Sequence, residues 1–177
     1  MSKPYAITFA GVPGSSKSII AYYLSMTFSL PIFSTDNIRN EVKEDLLACD
    51  INEPEALKEF KRRQGKRFQE ILKRKQSFIR DGSVDRRWQE IKEQLDVAGY
   101  TWCLIDMELS RDFMINLYSK TNRVWAIEEL DAYLAQHTKF IEKYSHDITV
   151  KITDQLFKER NSVAEVTVRK FLESFLK

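Results

Sequence analysis

The sequence predicts an α/β fold: a five-stranded parallel sheet with helices on both faces. Three observations carry this. Short β-like runs at 5–10, 31–34, 77–81, 100–107 and 148–152 are each separated by a stretch of helical spacing, which implies parallel strands joined by right-handed crossovers. Tyr100 to Met107 is almost continuously apolar, as in a strand buried on both faces. The first run, Tyr5-Ala6-Ile7-Thr8-Phe9-Ala10, passes through a loop of small residues into an apolar helical run from Ile19 to Phe28.

The remaining elements follow in order. Pro31-Ile32-Phe33-Ser34 reads as a second strand opening on a proline. Thr35 and Asp36 stand at its carboxyl end and are expected to cap the next helix, Asn37 to Ala48, whose apolar positions are Ile38, Val42 and Leu46. Pro54 stands near the start of a long helix, Glu55 to Lys75. Ser77 to Asp81 is a third strand, followed by Gly82-Ser83, and Asp85 to Val97 is helical, with Trp88, Ile91 and Leu95 on one face and Gly99 behind it as a stop. After the fourth strand, Ser110 caps a helix to about Tyr118, a polar stretch runs from Ser119 to Arg123, and Ala126 to Tyr144 is again helical. Ile148, Val150 and Ile152 alternate as the fifth strand, and Ser162 to Leu176 forms a final amphipathic helix.

The chain has 177 residues, 43% hydrophobic and 31% charged, which suits one folded domain over 1–177 and excludes a disordered chain. No apolar run approaches the ~20 residues that a membrane span needs, and the N-terminus lacks a signal-peptide pattern. Cys49 and Cys103 form no metal or redox spacing, and their pattern suits a reducing cytoplasm. His137 and His146 read as satisfied or exposed surface histidines. The net charge is only +2, but Lys58, Lys61, Arg62, Arg63, Lys66, Arg67, Lys73, Arg74 and Lys75 make a basic stripe. It reads as a solvated helix face with a few ion pairs, or as a track for a phosphate backbone.

The loop after the first strand, Gly11-Val12-Pro13-Gly14-Ser15-Ser16-Lys17-Ser18, has the composition of a phosphate-binding loop. Small residues let successive N–H groups turn inward onto a polyphosphate, and the positive end of the next helix faces the same anion. Gly11, Gly14, Ser15, Ser16, Lys17 and Ser18 are therefore the nucleotide-binding candidates, with Lys17 reaching the outer phosphates of ATP and Ser18 placing its hydroxyl on Mg²⁺. Ser16 stands where the pattern has glycine; it fits there if its backbone is helical and fails if φ must be positive.

Ligands of such sheets bind beyond the carboxyl ends of the strands, which nominates Asp36, Asp81 and Asp106 as well. Asp36 is the candidate general base for an acceptor hydroxyl, with Arg39 three residues later on the same helical face as an anion clamp. Its plainer role is a helix N-cap. Asp106 imitates a metal-holding aspartate and ranks below Asp81.

The loop, then Ser34-Thr35-Asp36-Asn37-Ile38-Arg39, then Phe78-Ile79-Arg80-Asp81-Gly82-Ser83 with Arg86-Arg87, resemble the polynucleotide-kinase-like and related small P-loop kinases. The resemblance implies a three-layer P-loop kinase fold. It assigns activation of the acceptor hydroxyl to Asp36, contact with the acceptor or the transferring phosphate to Arg39, and acceptor orientation or water-mediated metal holding to Asp81. It also implies a mobile lid at about 111–126 that carries arginines. Asn116 and Lys120 occupy those arginine positions here, with Arg123 nearby as a substitute. The expected activity is an ATP-dependent kinase that transfers the γ-phosphate to a hydroxyl of a nucleic-acid 5′ end, a nucleoside or another small molecule. A nucleotide-binding module without catalysis, and a nucleic-acid-binding protein using helix 58–75, are the alternatives.

Overall fold

Among residues 3–175, which the computed structural model describes, five strands form one parallel sheet. They are β1 (Tyr5–Ala10), β2 (Ile32–Ser34), β3 (Phe78–Ser83), β4 (Thr101–Glu108) and β5 (Val150–Thr153), in the order β2-β3-β1-β4-β5. Seven helices connect and flank them: α1 (Lys17–Phe28), α2 (Thr35–Asp45), α3 (Pro54–Arg74), α4 (Trp88–Val97), α5 (Arg111–Lys120), α6 (Leu130–Tyr144) and α7 (Arg160–Phe175).

Alternate side chains of each strand feed two cores. Ile7, Phe9, Ile105 and Met107 face Ile20 and Leu24 of α1, Met114 and Tyr118 of α5 and Val168 of α7. Ala6, Ala10, Phe78 and Leu104 face Ile38 of α2, Phe68 and Leu72 of α3 and Trp88, Ile91 and Leu95 of α4. On that second face the rings of Phe33, Phe68, Phe78 and Tyr100 follow one another with centroids 5.6, 6.0 and 5.8 Å apart. The predicted three layers are therefore present, and all strands point their carboxyl ends to the same edge.

Several boundaries differ from the sequence expectation, each for a local reason. Strand β3 continues through Gly82 and Ser83, because its register against β1 shifts between Ile7 and Phe9 and pairs Phe9 with Ser83. Helix α2 starts at Thr35, and its cap is Ser34, whose hydroxyl accepts from the Asn37 amide at 3.3 Å. Thr35 and Asp36 are thus helical residues and not caps. Helix α4 starts only at Trp88, which frees Asp85 for another role, and a 3-10 turn at Val124–Ala126 delays α6 to Leu130. Leu176, the expected end of the last helix, lies outside the described residues. Among the described residues no helix is long and apolar enough to cross a membrane.

Candidate active site

The loop between β1 and α1 turns through three left-handed residues: Gly11 (φ 122°), Gly14 (φ 75°) and Ser16 (φ 71°). Gly11 is required on two grounds, since a Cβ there would also stand 2.8 Å from Cβ of Met107 on β4. The expectation of a helical backbone at Ser16 is corrected: Ser16 immediately precedes α1 and is left-handed, while its carbonyl accepts from the amides of Ile19 and Ile20. A non-glycine residue pays about 1–2 kcal/mol in that conformation. Ser16→Gly is therefore expected to stabilise the protein by up to about 1 kcal/mol once the extra chain entropy of glycine is subtracted. Thermal unfolding should show a rise of a few degrees; a lower melting temperature would contradict the strain.

Lys17 is buried within the loop, with Nζ donating to the carbonyls of Gly11 (2.8 Å) and Val12 (2.6 Å) and to Oγ of Ser15 (3.1 Å). Burial pulls its amine down to about 8, against the opposing pull of Asp85, Asp81, Asp106 and Asp36. Ser18, in the first turn of α1, donates its hydroxyl to Asp81 Oδ1 at 2.9 Å, so the two residues expected to share a metal ion lie side by side. Burial pushes the Asp81 carboxyl up, the Ser18 hydroxyl pulls it partly back, and neighbouring Asp36 adds to the rise.

Asp36 lies in the first turn of α2, mostly exposed, with its carboxylate 2.5 Å from Nη1 of Arg39. The Arg39 guanidinium also stacks over Phe60 of α3, 5.5 Å from the ring centroid. The structure thus gathers Lys17, Ser18, Asp36, Arg39 and Asp81 at the carboxyl ends of β1, β2 and β3. Asp36 is close enough for its charge to act on both Lys17 and Asp81.

A second cluster behind the loop went unread in the sequence. The amide of Gly11 donates to Asp85 Oδ1 at 3.0 Å, and Asp85 Oδ2 lies 2.8 Å from Nδ1 of His137. Nε2 of His137 is 3.2 Å from Asp106 Oδ1, an ion-pair distance whose angle misses hydrogen-bond geometry, so neither oxygen of fully buried Asp106 has a hydrogen-bond partner. Asp106 therefore faces His137, while its charge still reaches Lys17 of the loop. His146 is exposed as expected, whereas His137 is buried between two carboxylates. Burial opposes charge on His137, but Asp106 and Asp85 outweigh it and raise the imidazole to about 9. Burial likewise works against the Asp85 carboxylate, which bonds from His137, Ser83 and Gly11 hold below its ordinary range.

A pH dependence follows. Folded His137 binds a proton that the unfolded chain releases near 6.5, so its contribution to stability is complete below about pH 6.5 and is lost as pH rises towards 9. Lys17 acts with the opposite sign, but only above about pH 8, where its folded amine has already lost the proton that the unfolded chain keeps. Stability is thus expected to fall between about pH 6.5 and 8, and His137→Gln to flatten that slope. Denaturant unfolding at several pH values checks this; an unchanged slope in the variant would refute the assignment.

Of the lid candidates, Arg123 reaches the loop: its Nη1 lies 3.2 Å from where a Cβ on Gly14 would stand. Asn116 instead donates to the carbonyl of Asp112 in its own helix, and Lys120 is exposed at the end of α5. Tyr118, which the sequence reading passed over as a helix end, donates its hydroxyl to the carbonyl of Pro13 at 2.6 Å and docks α5 on the loop. On α3, Arg62, Arg63 and Arg67 are paired with Glu59, Asp45 and Glu41, the solvated-face reading of the basic stripe.

The sheet order, the loop and the flanking layers together are the α/β fold of the P-loop kinases. Particular solved structures share it over nearly the whole chain. A gluconokinase from Sinorhizobium meliloti 1021 aligns with a TM-score of 0.65 at 14% identity, covering 98% of this chain and 97% of its own. A shikimate kinase from Acinetobacter baumannii in complex with shikimate gives 0.64 at 18% identity, covering 99% and 97%. A component of the PezAT toxin–antitoxin system of Streptococcus pneumoniae gives 0.61 at 13% identity, covering 98% and 89%. No protein-family model and no curated protein matches the sequence. At these identities the likeness establishes the fold.

Proposed function

We propose that the protein is an ATP-dependent kinase that transfers the γ-phosphate of ATP to a hydroxyl group of a small molecule. The observation that carries this is the meeting of the loop lysine and serine with two strand-end carboxylates, Asp36 and Asp81, at one edge of a P-loop kinase fold. The backbone amides of Gly14, Ser15 and Ser16 would receive the polyphosphate, with Lys17 and Arg123 supplying positive charge from two sides.

Ser18 and Asp81 would hold the Mg²⁺ ion that accompanies the nucleotide. The donor set fits: two oxygen groups lie 2.9 Å apart, and among the described residues no group of three His, Cys, Asp or Glu side chains could hold a metal by itself. Mg²⁺ is typically held by one or two carboxylates plus phosphate oxygens and water. Bound there, it neutralises charge on the phosphate oxygens. Asp36 would accept the proton of the acceptor hydroxyl, and Arg39 would hold Asp36 in place and face an anionic group.

The pairing of α3 arginines with acids of α2 and α3 favours a small acceptor over a nucleic acid, since those cations already have partners. The left-handed serine in the loop favours one other reading, a nucleotide-binding module that does not catalyse. Incubation with Mg·ATP and a panel of hydroxyl compounds, read by mass spectrometry for phosphorylated product, separates the two. Product from any acceptor supports the kinase. Nucleotide binding with no product from the panel supports the module.

A further inference from the structure

Beside the Asp36 turn, a cavity of about 160 Å³ opens between α3 and α4 over β2 and β3. Its lining includes Phe33, Gln64, Gly65, Arg80, Arg87 and Glu90. Arg80 is only 5% exposed, yet its one hydrogen bond among the described residues runs from Nη1 to the carbonyl of Gly82 at 3.1 Å. Among the described residues no carboxylate lies within ion-pair distance of it. A buried guanidinium without a direct acidic partner is costly: burial pulls Arg80 down to about 10, Arg87 adds to the fall, and the more distant charges of Asp81 and Glu90 offset it only in part.

Arg87 stands beside it, its Nη1 donating to Gln64 Oε1 at 2.6 Å. Glu90 faces the same space, but both its oxygens are engaged by Arg87, at 2.9 and 2.7 Å. Glu90 is thus committed to Arg87, and Arg80 keeps N–H donors that no carboxylate of the cavity lining takes up. The space far exceeds the roughly 10–15 Å³ that one water needs. Gly65, at the mid-point of α3, also borders it, and a Cβ there would meet no atom within 4 Å. A mid-helix glycine costs about 1 kcal/mol relative to alanine. No packing contact accounts for it here.

The cavity adjoins the site. Arg80 immediately precedes Asp81, and the Cβ position of Gly82 lies 2.7 Å from Oγ1 of Thr35, the residue before Asp36. Resting on the kinase reading for its role, we propose that Arg80 and Arg87 form an oxyanion site that binds a carboxylate or phosphate group of the acceptor, so that the acceptor is a hydroxy compound carrying such a group. The anion fixes one end of the acceptor under α3 and leaves its hydroxyl at Asp36. Planar guanidinium groups suit both anions, because each presents paired oxygens to a fork of N–H donors.

The test uses inorganic phosphate and, separately, acetate, each against chloride at equal ionic strength. Binding is read by thermal unfolding and calorimetry on Lys17→Met, whose loop has lost its cation. At least one of the two anions should raise the melting temperature beyond chloride; phosphate alone assigns a phosphate group and acetate alone a carboxylate. Adding Arg87→Gln, or Gly65→Leu to crowd the mouth, should weaken that anion by about 10–100-fold, the range of one charge-assisted contact. Arg80→Gln should abolish the effect; because Arg80 is buried and its replacement also threatens the fold, the two milder variants decide. No effect of either anion beyond chloride, or an effect that survives both Arg87→Gln and Gly65→Leu, would overturn the proposal. Mg·ADP heat with the wild-type protein reads the loop independently. Its absence counts against the nucleotide reading alone, and its presence without an anion effect counts against this inference alone.

Discussion

Replacing Asp36 with asparagine is expected to lower phosphoryl transfer by roughly 10²–10⁴-fold, the range of a positioned general base, while leaving nucleotide affinity and melting temperature nearly unchanged. The reasoning begins with where Asp36 is. Ser34 already caps α2, so Asp36 has no capping bond to lose. Its carboxylate is mostly exposed and its partner Arg39 is half exposed, a setting in which an ion pair adds little stability. Asparagine keeps the shape and still accepts a hydrogen bond, but it cannot take the hydroxyl proton. Steady-state kinetics beside thermal unfolding separates the roles. A variant that loses stability but keeps its rate would make Asp36 a helix-start residue and nothing more.

Lys17→Met is expected to have the second large effect, a loss of about 10²–10³-fold in rate together with weakened nucleotide binding. Methionine keeps the apolar stem of the lysine but removes its terminal ammonium, the charge at the centre of the loop. In the protein alone the ammonium rests on the Gly11 and Val12 carbonyls and the Ser15 hydroxyl. A polyphosphate offers a far stronger partner of opposite charge. Because burial brings the amine down to about 8, nucleotide affinity should also fall as pH rises through that value, where the free protein loses the cation. Calorimetry across pH 7 to 9 checks this for the wild type. Equal affinity in wild type and Lys17→Met would remove Lys17 from the phosphate site.

Much of this arrangement was legible because its signals are local. The strand, the small-residue loop and the Lys-Ser pair lie within some fourteen consecutive residues, so a short window holds both the motif and its context. Asp36 and Asp81 were found by a rule about strand ends, which needs only the strands to be recognised. What stayed hidden depends on contacts far apart in sequence. His137 meets Asp85 across 52 positions, and Tyr118 meets Pro13 across 105. No periodicity announces either pair. Its helical spacing makes Asp85 the first residue of a helix, although its carboxylate accepts from an amide of the loop instead.

Ser16 carries a different lesson. Its identity argued for a helical backbone, since serine in a left-handed turn is strained, but the path of the loop prevailed. The chain turns through left-handed residues at Gly14 and Ser16 to enter α1, and the close approach of Gly11 to Met107 and the Tyr118 hydroxyl on the Pro13 carbonyl hold both sides of that turn. Local preference lost to a conformation that the surrounding packing imposes.

All the assignments above rest on the loop of residues 11–18 holding a nucleotide by its phosphates. Titrating the wild-type protein with a non-hydrolysable ATP analogue and magnesium, followed by heat and by melting temperature, tests that most directly. The account predicts saturable heat at one site and a clear rise in melting temperature, both diminished in Lys17→Met. No heat and no shift at millimolar nucleotide would contradict it.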